Sequence, residues 1–391
     1  MEHALARKRS LTSLRRKRSD SATSTTPSDQ KPREEKSAPY RDARYEILLA
    51  TKGTFMETSE EGIAEESKQL YRDLLEGDHH FPQGTIFDGD VFERAYKNFH
   101  SKNEARIIQD ISRLLVPSAE TLSLYSKELR ILTESVNEGW NNSIALTGTR
   151  PQPDYSVGFR REAFTDDQLT KLSPFIGDFI AGDLSFFMAT YYMYFPFLAC
   201  EVKCGAAALD VADRQNAHSM TVAARGIVEL FRLVKRENEV HRQVLAFSVS
   251  HDHRSVRIYG YYPVIDEKDT KYYRHPIYMF DFTALDGRDK WTIYQFVKNV
   301  YDTWVPDHFK RICSVIDQLP SKIDFGVAAF SDSTGLSQDV ETHLALSEAG
   351  SESLLMDEED RWEKAGQIVT LDTLFSRLGP AKRRKSPVKK L

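Results

Sequence analysis

The alternation of apolar and polar positions divides this chain into a long patterned body and two unpatterned ends. Residues 1–40 are dominated by Ser, Thr, Pro and charge and hold no run able to bury a face, so disorder is expected there. Between Asp324 and Asp360 ten acids occur without a Lys or Arg, among many Ser and Gly, which reads as a second linker. Beyond it Trp362, Ile368, Leu371, Leu374, Phe375 and Leu378 have the spacing of a short amphipathic helix. The expected organisation is a disordered basic tail over 1–42, one domain with a helical N-terminal extension over 43–322, and an acidic linker with a basic tail over 323–391.

Inside the body, Arg44 to Phe55 reads as extended and Glu60 to Leu75 as helical. Val91 to Phe99 and Lys102 to Leu115 have helical spacing, the second ending before Pro117. Ser118, with Glu120 and Thr121, opens a helix expected to run through Val136. Tyr155 to Phe159 alternates as a strand. Thr165-Asp166-Asp167-Gln168 has capping-box spacing and starts a helix toward Leu172. Phe186 to Tyr194 and Phe197 to Lys203 read as two strands, and Gly205 lets the chain turn. Ala206 to Arg236 is the longest helical pattern, striped by Met220, Ala223, Ala224, Ile227, Leu230, Phe231 and Val234. Val244 to Ser250 and Ser255 to Val264 are strands joined by a turn at His251-Asp252-His253-Arg254, and Tyr278 to Phe282 is another. Trp291 to Leu319 holds a helix or helix pair interrupted at Pro306.

Composition adds limits. Of the 391 residues, 40% are hydrophobic and 11% aromatic, enough for a sizeable core. Cys200, Cys204 and Cys313 give no disulfide framework and suit a reducing compartment. Two thiols around Glu201 without a second pair or clustered His read as small buried residues rather than metal ligands. The uncharged run Leu184 to Cys200 is shorter than the ~20 residues of a bilayer span. It is also broken by Pro196 and holds three tyrosines, so it reads as buried sheet and no membrane contact is expected.

Charge is uneven. Residues 1–44 carry twelve Lys/Arg against six acids and residues 323–391 nine against twelve, which leaves the middle at a formal −8. No broad positive field marks the body as a tight nucleic-acid binder. The basic residues at the ends are clustered, as Arg7-Lys8-Arg9, Arg15-Arg16-Lys17-Arg18, Lys382-Arg383-Arg384-Lys385 and Lys389-Lys390. The first two are spaced as a bipartite import signal, so a nuclear location with importin as partner is expected.

The candidate chemistry lies at Pro153-Asp154 and Glu201-Val202-Lys203. In a strand, residues i and i+2 share a face, so Glu201 and Lys203 point together while Val202 points into the core. Asp154 and Glu201 can then hold a divalent cation, with Lys203 beside it to hold water and offset developing phosphate charge. Each feature has a plainer reading: a turn aspartate, an exposed strand-end ion pair. His251-Asp252-His253 offers metal ligands or a solvated turn. Arg225, Arg232, Lys235, Arg236 and Arg242 could track a phosphate backbone or form a wet helix face.

The order helix, strand, strand with Pro-Asp, strand with Glu-x-Lys, helix, strand over roughly Lys102 to Val264 resembles the PD-(D/E)XK, or restriction-endonuclease-like, superfamily. More closely, three phrases are similar to a domain family of filamentous ascomycetes that is carried as uncharacterised or nuclease-like. They are Pro153-Asp154-Tyr155-Ser156-Val157-Gly158-Phe159, Cys200-Glu201-Val202-Lys203-Cys204-Gly205 and Ala212-Asp213-Arg214-Gln215-Asn216. That similarity runs from about Asn103 to Leu319. It implies an α/β (α+β) fold with a mixed β-sheet flanked by helices. It implies Asp154 and Glu201 as ligands of Mg²⁺, with Mn²⁺ as substitute, Lys203 as the residue that positions water, and Gln215 as an orienting residue. Gln215 lies ~80° around its helix from Ala223, flanking the apolar stripe. An acid on the first core helix completes the set; Glu104 fits best and Glu134 is close behind. The implied activity is hydrolysis of DNA or RNA in the nucleus. The alternative is a nuclease fold without catalysis, serving as a nuclear nucleic-acid- or protein-binding module.

Overall fold

The structure is a computed structural model, and it describes residues 2–8, 33–77, 80–99, 103–204, 208–267 and 269–320. Those residues form a mixed α/β fold around one seven-stranded sheet of order β1-β7-β6-β5-β4-β3-β2. In chain order the elements are α1 (Arg33–Arg41), α2 (Tyr45–Ala50), β1 (Thr54–Phe55), α3 (Glu65–Glu76), α4 (Gly89–Phe99), α5 (Glu104–Ile107), α6 (Arg113–Leu115), α7 (Ala119–Ser123), β2 (Leu132–Val136), β3 (Tyr155–Arg160), α8 (Asp166–Ile176), β4 (Met193–Val202), α9 (Ala208–Leu233), β5 (Ala246–His251), β6 (Ser255–Asp266), β7 (Asp269–Asp281), α10 (Thr292–Asn299) and α11 (Val305–Ile316).

The central pair β4 and β5 is parallel, as is β1 with β7, and the other neighbours are antiparallel. All ten residues of β4 and all six of β5 are buried, as expected of parallel strands covered on both faces. α9 packs along one face, where Asn216 Nδ2 donates to Val249 O and Ser250 Oγ, both at 3.0 Å. The opposite face is covered by α10 and the turn that leads into α11, through contacts such as Phe247 with Phe296 and Trp304. At ~25 cal/mol per Å² of apolar surface, burying aromatic residues of this size is the main driving term of the fold.

A register shift between β3 and β4 falls at Gly158. A Cβ there would lie 2.8 Å from Tyr194 O and 3.0 Å from Pro196 Cα, so only glycine admits the close approach. The shift leaves Tyr155 opposite Cys200, and the residue before β3, Asp154, then arrives beside Glu201.

Several segments differ from the pattern reading. The helix opened by Ser118 ends at Ser123, and Leu132–Val136 is an edge strand paired with β3. Pairing with the following core strand outweighs a helical spacing that has no partner face. Residues 186–192 are turns with isolated bridges, and one strand, β4, replaces the two expected. The stretch from Arg44 to Phe55 is mostly helix, followed by the two-residue β1. Pro306 does not interrupt the last helix pair: it sits in the first turn of α11, where a missing N–H costs little. The break is a π-turn over Val300–Trp304. The N-terminal tail is partly structured. Ala4 is fully buried, Arg7 bridges to Leu184, and α1 covers part of 33–42. Arg9, Arg15 to Arg18, the turn at Gly205, the acidic linker, the 361–378 helix and the C-terminal basic clusters lie outside the described residues.

Candidate functional site

The site lies where β3 begins and β4 ends. Asp154 Oδ2 accepts the Val202 N–H at 2.8 Å, which clamps the start of β3 to the end of β4. One residue further, the Lys203 N–H donates to His251 O at 3.0 Å and extends the β4–β5 ladder. Alternation then sends Val202 into the core, where it is buried, and sets Glu201 and Lys203 on the other side.

The Lys203 ammonium is the hub. Its Nζ lies 3.2 Å from Glu201 Oε2, 3.7 Å from Asp154 Oδ2 and 3.8 Å from Glu104 Oε1, and it donates to Val202 O at 2.9 Å. Glu201 is 1% exposed, Asp154 5% and Lys203 8%. Glu104 comes from the first turn of α5, whose N-cap Asn103 accepts the Arg106 N–H at 3.1 Å. Three carboxylates from three separate elements therefore meet one buried cation. Charges so far out of water are tolerated only as a bonded set.

Of the expected site residues, the structure brings together Asp154, Glu201, Lys203 and Glu104. Glu134 belongs elsewhere: it lies on β2, where Oε2 accepts from Ser118 Oγ and Tyr155 Oη, both at 2.8 Å, and caps α7. Gln215 is buried on α9, and its Oε1 has no hydrogen-bond partner among the described residues. The carboxylate donors are all oxygens, the chemistry that Mg²⁺ prefers. Among the described residues, no three His, Cys, Asp or Glu side chains already converge as a ready-made metal cage. The ammonium occupies the centre of the carboxylate set.

The other candidates resolve differently. His251 does not sit in a solvated turn; it is the last residue of β5 and fully buried. Its Nδ1 faces Asp252 O at 3.0 Å, and a carbonyl only accepts, so Nδ1 carries the proton. Nε2 then accepts the Ser112 hydroxyl at 3.0 Å. Burial pushes the His251 pKa down, keeping the ring neutral. Cys200 is held protonated by burial and by the nearby Asp154 and Glu201 carboxylates, and burial pushes Cys204 up to about 11. Neither thiol is poised as a ligand. The arginines expected to track phosphate are spent internally. Arg225 lies over the Phe186 ring and donates to Ile144 O, Arg232 pairs with Glu229, Arg236 with Glu239, and Arg242 donates to Gly62 O.

One group had no signal in the sequence. Tyr40 of α1 and Tyr45 of α2 both reach His218 Nδ1 on α9, at 2.9 and 3.3 Å. His218 Nε2 accepts the Leu146 N–H at 3.3 Å, so Nδ1 holds the proton and donates to the tyrosines. Burial raises the Tyr40 pKa well above its ordinary value, with Tyr45 and the Glu201 carboxylate adding to it. The N-terminal extension is thus tied to α9 through His218. Its members lie more than 170 residues apart in the chain, so no local spacing could disclose them.

Comparison with known proteins places residues 91–316 in a match to a family described as Domain of unknown function (DUF7924). No curated protein matches the chain.

Proposed function

The chain belongs to that family of unknown function, whose match covers more than half of it, and from the site geometry we propose that it is a divalent-cation-dependent phosphodiester hydrolase of the restriction-endonuclease-like kind. The observation that carries this reading is the convergence of Glu104, Asp154 and Glu201 on Lys203 Nζ at the end of β4. Asp154 and Glu201 would hold Mg²⁺ or Mn²⁺, with Glu104 completing the acidic set. The cation, when bound, supplies Lewis acidity and makes a bound water more acidic.

The chain's own residues do the rest. The Val202 N–H fixes one Asp154 oxygen, so the carboxylate is preorganised rather than free to rotate. The Lys203 ammonium is held against its carbonyl neighbour, in place to donate to oxygens that gain charge as the phosphodiester bond breaks. Gln215 offers a buried amide oxygen to orient a water or substrate group. The substrate class is DNA or RNA, with the basic terminal clusters as contacts for importin and a nuclear location.

The test is incubation of the purified chain with supercoiled plasmid, single-stranded DNA and RNA in Mg²⁺, Mn²⁺ or EDTA. Cleavage of any one in metal and none in EDTA supports the proposal; absence of cleavage in every lane overturns it. A second reading, a binding module that keeps this fold without catalysis, is favoured by one observation. Lys203 is already satisfied by its carboxylates, which also makes it a pin between α5 and β4. Binding of nucleic acid without cleavage selects that reading. Location is tested separately, by alanine replacement of Arg15 to Arg18 and Lys382 to Lys385 in a fluorescent fusion. Nuclear signal that survives both replacements removes the import assignment.

A further inference from the structure

An open cavity of about 380 Å³ lies at the β2 edge of the sheet, lined in part by Arg160, Arg161, Glu162, Phe179, Tyr191 and Tyr192. Arg160 ends β3, six residues along from Asp154, so the cavity is removed from the carboxylate site by roughly 20 Å of strand. Its volume is that of a small-ligand site. Arg160 is braced by donating from Nε and Nη2 to Leu132 O at 2.9 and 2.7 Å, which fixes its guanidinium plane. Arg161 follows it and is exposed. Tyr192 is held by donation to Glu138, and Tyr191 stands edge-on to it at 4.9 Å between ring centroids, 58% exposed. A rigidly supported aromatic face left in water beside two guanidiniums costs apolar exposure, and stacking on a planar ligand would recover it.

The polar lining narrows the ligand. A bare anion is a poor fit, because Glu120 and Glu162 share the wall with the arginines. A ligand carrying a phosphate, an aromatic plane and donor groups uses all three kinds of side chain. We infer that this cavity binds a nucleoside 5′-monophosphate group. Arg160 and Arg161 take the phosphate, Tyr191 stacks on the base, and Glu162 with Glu120 accepts from ribose hydroxyls and base amines. The inference does not depend on catalysis at Lys203.

The group has two sources, a free nucleotide or the phosphorylated end of a strand. Calorimetric titration of the full chain in EDTA, which leaves any cation site out of play, uses AMP, a 5′-phosphorylated tetranucleotide, adenosine and inorganic phosphate. The expected result is saturable binding of AMP or the tetranucleotide, tighter than that of phosphate or adenosine. Arg161→Ala and Tyr191→Ala, both at exposed positions, should each weaken it at least about tenfold. Preference for AMP identifies a free nucleotide, and preference for the tetranucleotide a strand end. The inference is overturned if neither binds, if phosphate binds as tightly as both, or if both variants keep full affinity.

Discussion

Two ionic clusters, each centred on a buried residue, sit at the sheet, and they are built to opposite rules. Around Lys203 one cation meets Glu104, Asp154 and Glu201. Around Asp213 on α9, Arg257 Nη1 lies 2.7 Å from Asp213 Oδ2 and 2.8 Å from Asp210 Oδ1. Arg274 is 3.7 Å from the same Asp213 oxygen, and Tyr259 donates to it at 3.1 Å. Counted over the named side chains, the second set balances two acids with two bases. The first sets three acids around one base. The balanced cluster cross-links α9 to β6 and β7, although Asp213 Oδ1 and Arg274 Nη1 have no hydrogen-bond partner among the described residues. On the proposed reading the acid-rich set at the end of β4 is the chemical site, and the balanced set is a structural cross-link.

The sharpest way to break that contrast is Lys203→Ala. If the cluster is chemical, metal-dependent cleavage should fall on the order of 10²–10³, the loss typical of one preorganised donor. Excess Mn²⁺ should not restore it, whereas Asp154→Asn, which weakens a ligand, should regain activity as Mn²⁺ is raised. Cleavage assays in which both variants match the parent would return the Lys203 cluster to the structural class. Asp213→Ala makes the converse test. It leaves Arg274, 13% exposed, without its carboxylate, and removal of one partner from a buried pair is expected to cost about 3 kcal/mol. Denaturant unfolding should show that loss while turnover per folded molecule stays unchanged. Loss of turnover with stability intact would erase the distinction between the clusters.

Acid provides a third probe, one that bears on the two faces of the sheet. Burial pushes His218 down to about 3, with Arg225 adding to it, and His308 likewise to about 3, with Arg311 adding to it. Both rings stay neutral in the folded chain at pH 5 but take up a proton when it unfolds. Stability is therefore full above about pH 6.5 and falls as pH drops toward 3, by about 2 kcal/mol per ring at pH 5. His308→Phe, which keeps the stack on Trp304 at 4.2 Å, should remove its share of that loss in unfolding curves at pH 7 and 5. An unchanged acid slope would mean that His308 is not neutral and buried as described. The smallest effect is expected of Tyr40→Phe. It deletes the hydroxyl that His218 reaches at 2.9 Å, worth about 1 kcal/mol of stability. Cleavage should change by less than about tenfold, a bound near that same energy. A larger fall with unaltered stability would draw Tyr40 into the machinery around Glu201.

Much of this arrangement is legible one residue at a time. The Thr165 capping box forms as its spacing requires, with Thr165 Oγ1 accepting the Gln168 N–H at 3.2 Å. The long apolar stripe after Ala206 becomes α9, and Val202 is buried between Glu201 and Lys203, because periods of 3.6 and 2 are local properties of the backbone. Other assignments needed the fold. Glu104 was preferred over Glu134 by its phrase alone, and the docking of α5 at the end of β4 is what separates them. Leu132–Val136 looked helical until β3 offered it a ladder. His251 looked like part of a turn until β5 ran one pair further along β4. The members of the Lys203 cluster could be named from the sequence, but their meeting could not, since they come from α5, the start of β3 and the end of β4. Local periodicity is encoded in neighbouring residues and can be read from them. Proximity between residues 50 or 180 positions apart is set by which surfaces bury each other, and that is decided by the tertiary fold alone.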